Sequence, residues 1–275
     1  MKKLTANVRG LHISYIIKNP KANQTVVFLH GFTGSTKTWN EVIEQLSSDI
    51  RIVAVDLIGH GKSSTKLPIE RYRIEEQVED LKSLFDYLHL STFTLIGYSM
   101  GGRVALAYAC TYPDQLSKLL LESASPGIDD RHDRMLRIEA DERLATKIEN
   151  EGLVDFVDFW EQIPLFQSQK LLPDKTKMAI RSERLDQNPM GLAYSLRGIG
   201  TGQQPSYWSH LPDLPIPVVC ITGEYDKKFK MIAENMTSLL KYGQHIEVLG
   251  VGHAIHVENP VQFATIIMEH VIDEI

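Results

Sequence analysis

The sequence has 275 residues, 43% of them hydrophobic, which is enough apolar material for the core of one large α/β domain or two small ones. Its formal net charge is −6, from 35 acidic and 29 basic residues, so it lacks the basic surface that nucleic acids and anionic membranes attract. The N-terminal residues lack the apolar stretch of a secretory signal, and no apolar run is long enough to span a membrane, so we expect a cytoplasmic protein without membrane insertion.

The first predicted element is an antiparallel hairpin over residues 4–17, at the edge of a sheet. After it, short β-branched runs alternate with helical patterns, such as residues 72–88, where apolar side chains recur every three and four positions. Further strands are predicted at residues 25–29, 51–55, 93–96, 118–121, 218–221 and 245–249. This alternation predicts the α/β class, with a mostly parallel, doubly wound sheet covered by helices on both faces.

The alternation stops between residues 126 and 210, where the sequence becomes helical and charged. Helix patterns there cover residues 137–148, 153–160 and 174–184. Strands resume only after the proline-rich run at residues 214–217, which ends one helix and precedes the next strand. We therefore predict a core of residues 1–125 and 211–275, with a helical cap inserted at residues 126–210.

The pentapeptide Gly97-Tyr98-Ser99-Met100-Gly101 lies between a predicted strand and a helical pattern. Its two glycines allow a turn so tight that larger side chains would collide with the strand and the helix. Such a nucleophile elbow exposes the serine hydroxyl and places a helix N-terminus beside it. The bare pattern arises by chance in many proteins, so the flanking strand and helix are what make it informative.

A serine hydroxyl is protonated at neutral pH, so Ser99 needs a base and an acid that orients the base. The predicted acid is Asp226, in the loop after a buried strand, with Glu224 as a rival two residues away. The predicted base is His253, which also follows a strand, with His256 as its rival. The Gly-x-Gly-His setting favours His253.

A second glycine turn, residues 28–34, can direct backbone N–H groups toward Ser99. We predict an oxyanion hole formed by the N–H groups of Phe32 and Met100, the residue after the serine. His30 is predicted to hold this turn by hydrogen bonding. Asp56, at a strand end, is predicted to accept hydrogen bonds from loop N–H groups.

Four motifs together resemble the α/β-hydrolase fold family over nearly the full chain. They are His30-Gly31-Phe32, the Asp-x-x-Gly-His-Gly-x-Ser pattern at residues 56–63, Gly-x-Ser-x-Gly-Gly at residues 97–102, and Gly252-His253. The order serine, aspartate, histidine is also that of the family. The fold hosts esterases, C–C hydrolases, lyases and receptors, so the substrate has to be inferred from the site.

Arg103, four residues after Ser99, lies in the first turn of the predicted elbow helix, where a cation is unfavourable without an anionic partner. A salt bridge at the edge of the core is the alternative explanation. Segments around it and in the cap resemble the 2-succinyl-6-hydroxy-2,4-cyclohexadiene-1-carboxylate synthases of menaquinone biosynthesis. These segments are residues 97–103, 135–145, 156–166, 178–185, 223–229 and 252–260.

The resemblance implies a lyase that eliminates pyruvate from an enolpyruvyl-bearing cyclohexene without net hydrolysis. The family's substrate carries three carboxylates, and the resemblance places Arg103, Arg137 and Arg181 as their partners. Arginine suits this role because its planar fork binds a carboxylate bidentately. Arg143 and Arg184 stay open as alternatives, because an error of one turn in placing the helices would exchange them.

Trp160 could supply a flat apolar wall or pack within the cap, and Tyr98 could donate a hydrogen bond or serve only in packing. Under the lyase hypothesis Ser99 removes a proton and does not attack a carbonyl. The alternatives are a carboxylesterase or C–C hydrolase with a nucleophilic Ser99, and a non-catalytic small-molecule binding protein. No metal-ligand spacing occurs, and both cysteines lie in apolar stretches, so we expect no metal, no cofactor and a monomer or weak homo-oligomer.

Overall fold

The computed structural model describes residues 2–271, and its centre is an eight-stranded sheet. The strands are β1 (Lys3–Val8), β2 (Leu11–Lys18), β3 (Gln24–Leu29), β4 (Ile50–Val55), β5 (Phe93–Tyr98), β6 (Leu116–Glu122), β7 (Val218–Gly223) and β8 (Gly243–Val248). Their spatial order is β1-β2-β4-β3-β5-β6-β7-β8. Strands β1 and β2 form the expected antiparallel edge hairpin, and the six strands β3 to β8 pair in parallel with one another. The predicted fold class is therefore confirmed.

Helices cover both faces of this sheet. They are α1 (Asn40–Gln45), α2 (Ile74–Tyr87), α3 (Met100–Thr111), α4 (Arg131–Trp160), α5 (Asp174–Leu185), α6 (Pro189–Ile199), α7 (Lys227–Leu239), α8 (Ile255–Glu258) and α9 (Pro260–Val271). Helices α2, α3 and α7 bury side chains with one face of the sheet, and α1, α8 and α9 with the other. Strand β5 is buried along its whole length, as expected for a parallel strand covered on both sides. Within residues 2–271, no helix combines the length and apolar character needed to cross a membrane.

Helices α4, α5 and α6 all lie between β6 and β7, in the segment of residues 126–210 that we call the cap. The two helices expected at residues 137–148 and 153–160 are the two parts of α4, which meet at Gly152 with a φ of 87°. Helix α6 was not among the expected helices, although its start carries two known signals. Asn188 caps it by accepting a hydrogen bond from the N–H of Gly191, and Pro189 is its first residue.

The cap has a small apolar core of its own. Its buried members come from α4 and α6, namely Ala145, Ile148, Phe156, Val157, Leu192, Ala193 and Leu196. Phe32 of the core and Trp160 pack against this cluster. Phe32 lies three residues after the end of β3, so the cap rests on the carboxyl ends of the strands, where β5 leads into the turn at Ser99.

Candidate active site

Ser99 stands at the turn between β5 and α3 with φ 48° and ψ −106°, and such a positive φ is rare in residues other than glycine. A Cβ on Gly97 would lie 2.5 Å from the carbonyl oxygen of Gly101, and a Cβ on Gly101 only 2.3 Å from that of Leu29. Both glycines are therefore required by the close approach of strand, turn and helix. Holding such a turn costs on the order of 1–3 kcal/mol and is typical of functional sites.

His253 joins Ser99 to Asp226. Its Nε2 lies 3.2 Å from Ser99 Oγ, and its Nδ1 lies 2.6 Å from Asp226 Oδ2. The imidazole and the carboxylate are both buried, at 2% and 6% exposure. With Nδ1 donating to the carboxylate, Nε2 is left to accept the serine proton, which is the arrangement that activates a serine oxygen.

The two rival residues have other partners. Glu224 accepts a hydrogen bond from the backbone N–H of Gly250, 2.8 Å away, and so fixes the turn after β8. His256 Nδ1 lies 2.8 Å from each carboxylate oxygen of Glu122, a fully buried residue at the end of β6. The structure thus brings Asp226 and His253 to Ser99, and neither rival.

Two backbone N–H groups are available beside Ser99. Helix α3 begins at Met100, and the N–H groups in the first turn of a helix have no carbonyl acceptor within that helix. Within residues 2–271, the N–H of Phe32 donates to no protein group. The turn that carries Phe32 is held by His30, whose Nε2 accepts the N–H of Leu57 at 3.0 Å, and burial lowers the pKa of this histidine and keeps it neutral.

Asp56 braces the neighbouring loop, as its place at the end of β4 suggested. One carboxylate oxygen accepts the N–H of Thr36 at 2.6 Å, and the other accepts the N–H of Lys62 at 2.9 Å and the ammonium of Lys3 at 2.7 Å. These contacts together lower the pKa of Asp56 against the effect of its burial. The residue is structural and does not line the site.

A cavity of about 220 Å³ opens above Ser99, and we call it the reaction cavity. Phe32 and Met100, the predicted oxyanion-hole residues, and His253, the predicted base, line it. Trp160 forms one wall, with its ring centroid 5.6 Å from that of Phe32 and 5.7 Å from that of Phe166, both in edge contacts. An apolar wall of this kind excludes water and suits a flat ring.

Tyr98 and Phe166 also line the reaction cavity, and Phe166 was not anticipated from the sequence. The ring of Tyr98 packs between His253 and His256, with centroid distances of 5.3 Å and 4.5 Å. Burial raises the pKa of Tyr98 well above its ordinary value. Its hydroxyl therefore stays protonated and can donate a hydrogen bond to a ligand.

Arg103 and Arg137 both line the reaction cavity. Arg103 is only 8% exposed, and its Nη1 donates to the carbonyl of Ile199 at 2.7 Å and to the side-chain oxygen of Gln204. Burial, and after it the nearby positive charge of Arg137, lower its pKa to about 9, against the opposing effect of Asp141. Arg137 Nε lies 2.9 Å from Asp141 Oδ1, and the same carboxylate acts on Arg103 only through its charge, without an ion pair among residues 2–271. The pair is short of one negative charge, which favours an anionic ligand.

Arg181 does not lie where the sequence placed it, since it does not line the reaction cavity. Its guanidinium lies 2.6 Å from Asp158 and 2.8 Å from Glu161, both at the end of α4, and it faces a separate hollow on the outside of the cap. Two acidic partners already compensate its charge. The expectation that Arg181 reaches the same cavity as Ser99 is therefore corrected.

The two alternative arginines also lie elsewhere. Arg143 is largely exposed, and its only ion pair in the described chain is a long one of 3.9 Å with Glu139. Arg184, in α5, is buried; it lies 3.4 Å from Glu161, stacks on Phe166 at 4.8 Å and lines a second hollow. Neither lines the reaction cavity.

Comparisons with known proteins agree with this fold. The sequence profile of the α/β hydrolase fold family matches residues 24–260. A Bacillus subtilis protein, provisionally named 2-succinyl-6-hydroxy-2,4-cyclohexadiene-1-carboxylate synthase, is 43% identical over 260 residues, which cover 94% of each chain. The synthase of that name from Enterobacter sp. (strain 638) is 32% identical over 87% of this chain and 88% of its own. The structure of MenH from S. aureus superposes with a TM-score of 0.88 at 37% identity, covering 94% of this chain and 97% of that one.

Proposed function

The chain belongs to the 2-succinyl-6-hydroxy-2,4-cyclohexadiene-1-carboxylate synthase family of the α/β-hydrolase fold, and we propose that it is a lyase of menaquinone biosynthesis. Its proposed substrate is 2-succinyl-5-enolpyruvyl-6-hydroxy-3-cyclohexene-1-carboxylate, from which it eliminates pyruvate. The observation that supports this most is the presence of both Arg103 and Arg137 in the cavity of Ser99, since the carboxylate near them, that of Asp141, is paired among residues 2–271 with Arg137 alone. An esterase for apolar substrates has no use for that charge.

The reaction begins with removal of the ring proton next to the succinyl ketone. Ser99 Oγ takes this proton while its own proton passes to His253 Nε2, which lies 3.2 Å away. Asp226 stabilises the imidazolium that forms, through its hydrogen bond to Nδ1. Ser99 acts in this scheme as a base, so no covalent intermediate is required.

The electron pair from the broken C–H bond first moves to the ketone oxygen. The N–H groups of Phe32 and Met100 stabilise that enolate, and losing one such donor typically costs about 3 kcal/mol of barrier. When the enolate collapses, the ring alkene shifts and the C–O bond to the enolpyruvyl group breaks. The departing enolpyruvate takes up a proton and becomes pyruvate, and the ring product keeps its succinyl group.

Pyruvate release from the synthetic enolpyruvyl substrate tests the proposal directly. The purified protein is expected to accelerate release, followed by coupling pyruvate to lactate dehydrogenase and subtracting the rate without enzyme. A nitrophenyl ester serves as the comparison substrate. Rapid cleavage of the ester without any pyruvate from the enolpyruvyl substrate would show a hydrolase and overturn the assignment.

Replacing Arg103 or Arg137 by glutamine is expected to lower kcat/KM by about 10- to 150-fold, mainly through KM. Each arginine would lose charge-assisted hydrogen bonds worth roughly 1.5–3 kcal/mol with a substrate carboxylate. Steady-state pyruvate release measures the effect. Arg143→Gln is the matched control, because its exposed side chain lies outside the reaction cavity. Equal kinetics for all three variants would contradict the carboxylate assignment.

Substrate binding is also expected to weaken as the pH rises through about 9, the pKa to which burial lowers Arg103. Below that pH the guanidinium is charged and binds a carboxylate. Above that pH, Arg103 of the free enzyme loses its proton, whereas in the complex the bound carboxylate keeps Arg103 protonated. KM is therefore expected to rise by up to about tenfold per pH unit. KM measured from pH 7 to 10 checks this, and Arg103→Gln should remove the rise.

A further inference from the structure

The charges that line the reaction cavity are all of one sign. Within the described chain the cavity has three cationic side chains, Arg103, Arg137 and Lys228, and no aspartate or glutamate in its wall. The proposed substrate has three carboxylates. With Arg181 turned to the outside of the cap, the arginines of the cavity can account for only two of them.

Lys228 is the second residue of α7, two positions after Asp226. It is exposed, lines the reaction cavity beside the triad, and has its ammonium 5.8 Å from the ring centroid of Phe229. The ring of Phe229 in turn lies 4.7 Å from that of His253. Lys228 therefore stands at the rim of the cavity, on the side of the catalytic histidine.

Lys228 also lacks a competing partner. Among residues 2–271 it forms no ion pair, in contrast to Arg137, which is paired with Asp141, and Arg181, which has two acidic partners. The first turn of α7 contains no acidic residue. An unpaired cation on a flexible four-carbon stem can reach over the cavity and follow a ligand as it reacts.

We propose that Lys228 binds the third carboxylate of the substrate, in the place that the sequence assigned to Arg181. This inference rests on the proposed function for the identity of the ligand. Arg103 and Arg137 bind the other two carboxylates from the far wall, so that with Lys228 at the rim each of the three carboxylates has one cationic partner. Lys228 is thus a specificity-determining residue that distinguishes a tricarboxylate from neutral substrates of the same fold.

The test is a charge series at this position, measured as substrate binding in the Ser99→Ala background so that no turnover is needed. Titration calorimetry with the enolpyruvyl tricarboxylate gives the dissociation constants. Lys228→Gln is expected to weaken binding about 5- to 20-fold, Lys228→Glu more than that, and Lys228→Arg by less than about threefold. The weakening should shrink as salt is added, because the contact is partly exposed.

Lys227→Gln and Lys227→Glu are the matched controls. Lys227 is the neighbouring exposed lysine of the same helix turn but does not line the reaction cavity. The inference is overturned if the two positions respond alike, or if the Lys228 series shows no dependence on charge. It is also overturned if the tricarboxylate binds tightly and Arg181→Gln, not Lys228→Gln, weakens it. Wild-type protein that binds the tricarboxylate but releases no pyruvate would refute the proposed function and leave the charge series as a valid test of Lys228.

Discussion

Replacing Ser99 by alanine is expected to reduce the turnover number for pyruvate release by at least about 10³-fold. Ser99 Oγ is the hydrogen-bond partner of His253 Nε2, at 3.2 Å, and within residues 2–271 no other hydroxyl forms a hydrogen bond with that nitrogen. Removing a member of such a triad leaves only the contribution of the oxyanion hole and of binding. Single-turnover measurements with excess enzyme check the chemical step without the delay of product release.

The same variant should still bind substrate, since Arg103, Arg137 and the oxyanion hole are unchanged. Quenching of tryptophan fluorescence can report this binding, because Trp160 lines the cavity. A retained dissociation constant together with lost turnover would locate the defect in proton removal. Capture of a covalent substrate adduct on wild-type Ser99 would instead show a nucleophile, and the base mechanism would then be wrong.

Changing Asp226 to asparagine is expected to lower kcat on the order of 10⁴-fold while the fold is preserved. The carboxylate accepts a hydrogen bond from His253 Nδ1 at 2.6 Å and so fixes the tautomer in which Nε2 can accept the serine proton. An amide that donates its N–H to Nδ1 would stabilise the opposite tautomer. The loss should appear in kcat with little change in KM, and thermal unfolding should show that the variant is folded.

Glu224→Gln is the control for this experiment. Glu224 is two residues away, and its carboxylate holds the N–H of Gly250 at 2.8 Å, not the imidazole. It is exposed, so its loss should cost little activity. A comparable fall in kcat for Glu224→Gln would mean that the orienting acid has been assigned to the wrong residue.

The elbow and the oxyanion-hole turn could be predicted because their sequence signals are local. A serine held at positive φ needs glycines at fixed distances in the chain, and Gly97 and Gly101 leave no room for a Cβ. The start of a helix leaves N–H groups free wherever it occurs, so Met100 follows from the position of Ser99 alone. Asp226 and His253 follow strands in the same way, and parallel strands bring their carboxyl ends to one edge of the sheet.

The orientation of the cap arginines could not be predicted from the sequence. Arg181 could be assigned by resemblance but not oriented, because a long side chain turns toward whichever carboxylate the packed structure places nearby. Asp158 and Glu161 lie at the end of α4, and their distance from α5 depends on how the two helices pack. Lys228 lies in the segment of residues 223–229, which carries part of the family resemblance, but no local sequence pattern indicates that its side chain lines the cavity.

The sequence by itself determined the α/β fold and predicted which residues meet at Ser99, namely Asp226, His253 and the proposed oxyanion-hole donors Phe32 and Met100. Each of these depends on turn geometry and strand ends within a few residues. Only the tertiary structure decided which cations line the reaction cavity. Buried Arg103, half-buried Arg137 and exposed Lys228 come from three separate elements, and Arg181 is directed away from them. The reason is physical: Coulomb interactions of flexible charged side chains depend on distances between elements distant in sequence, and those distances are set by packing of the cap against the core.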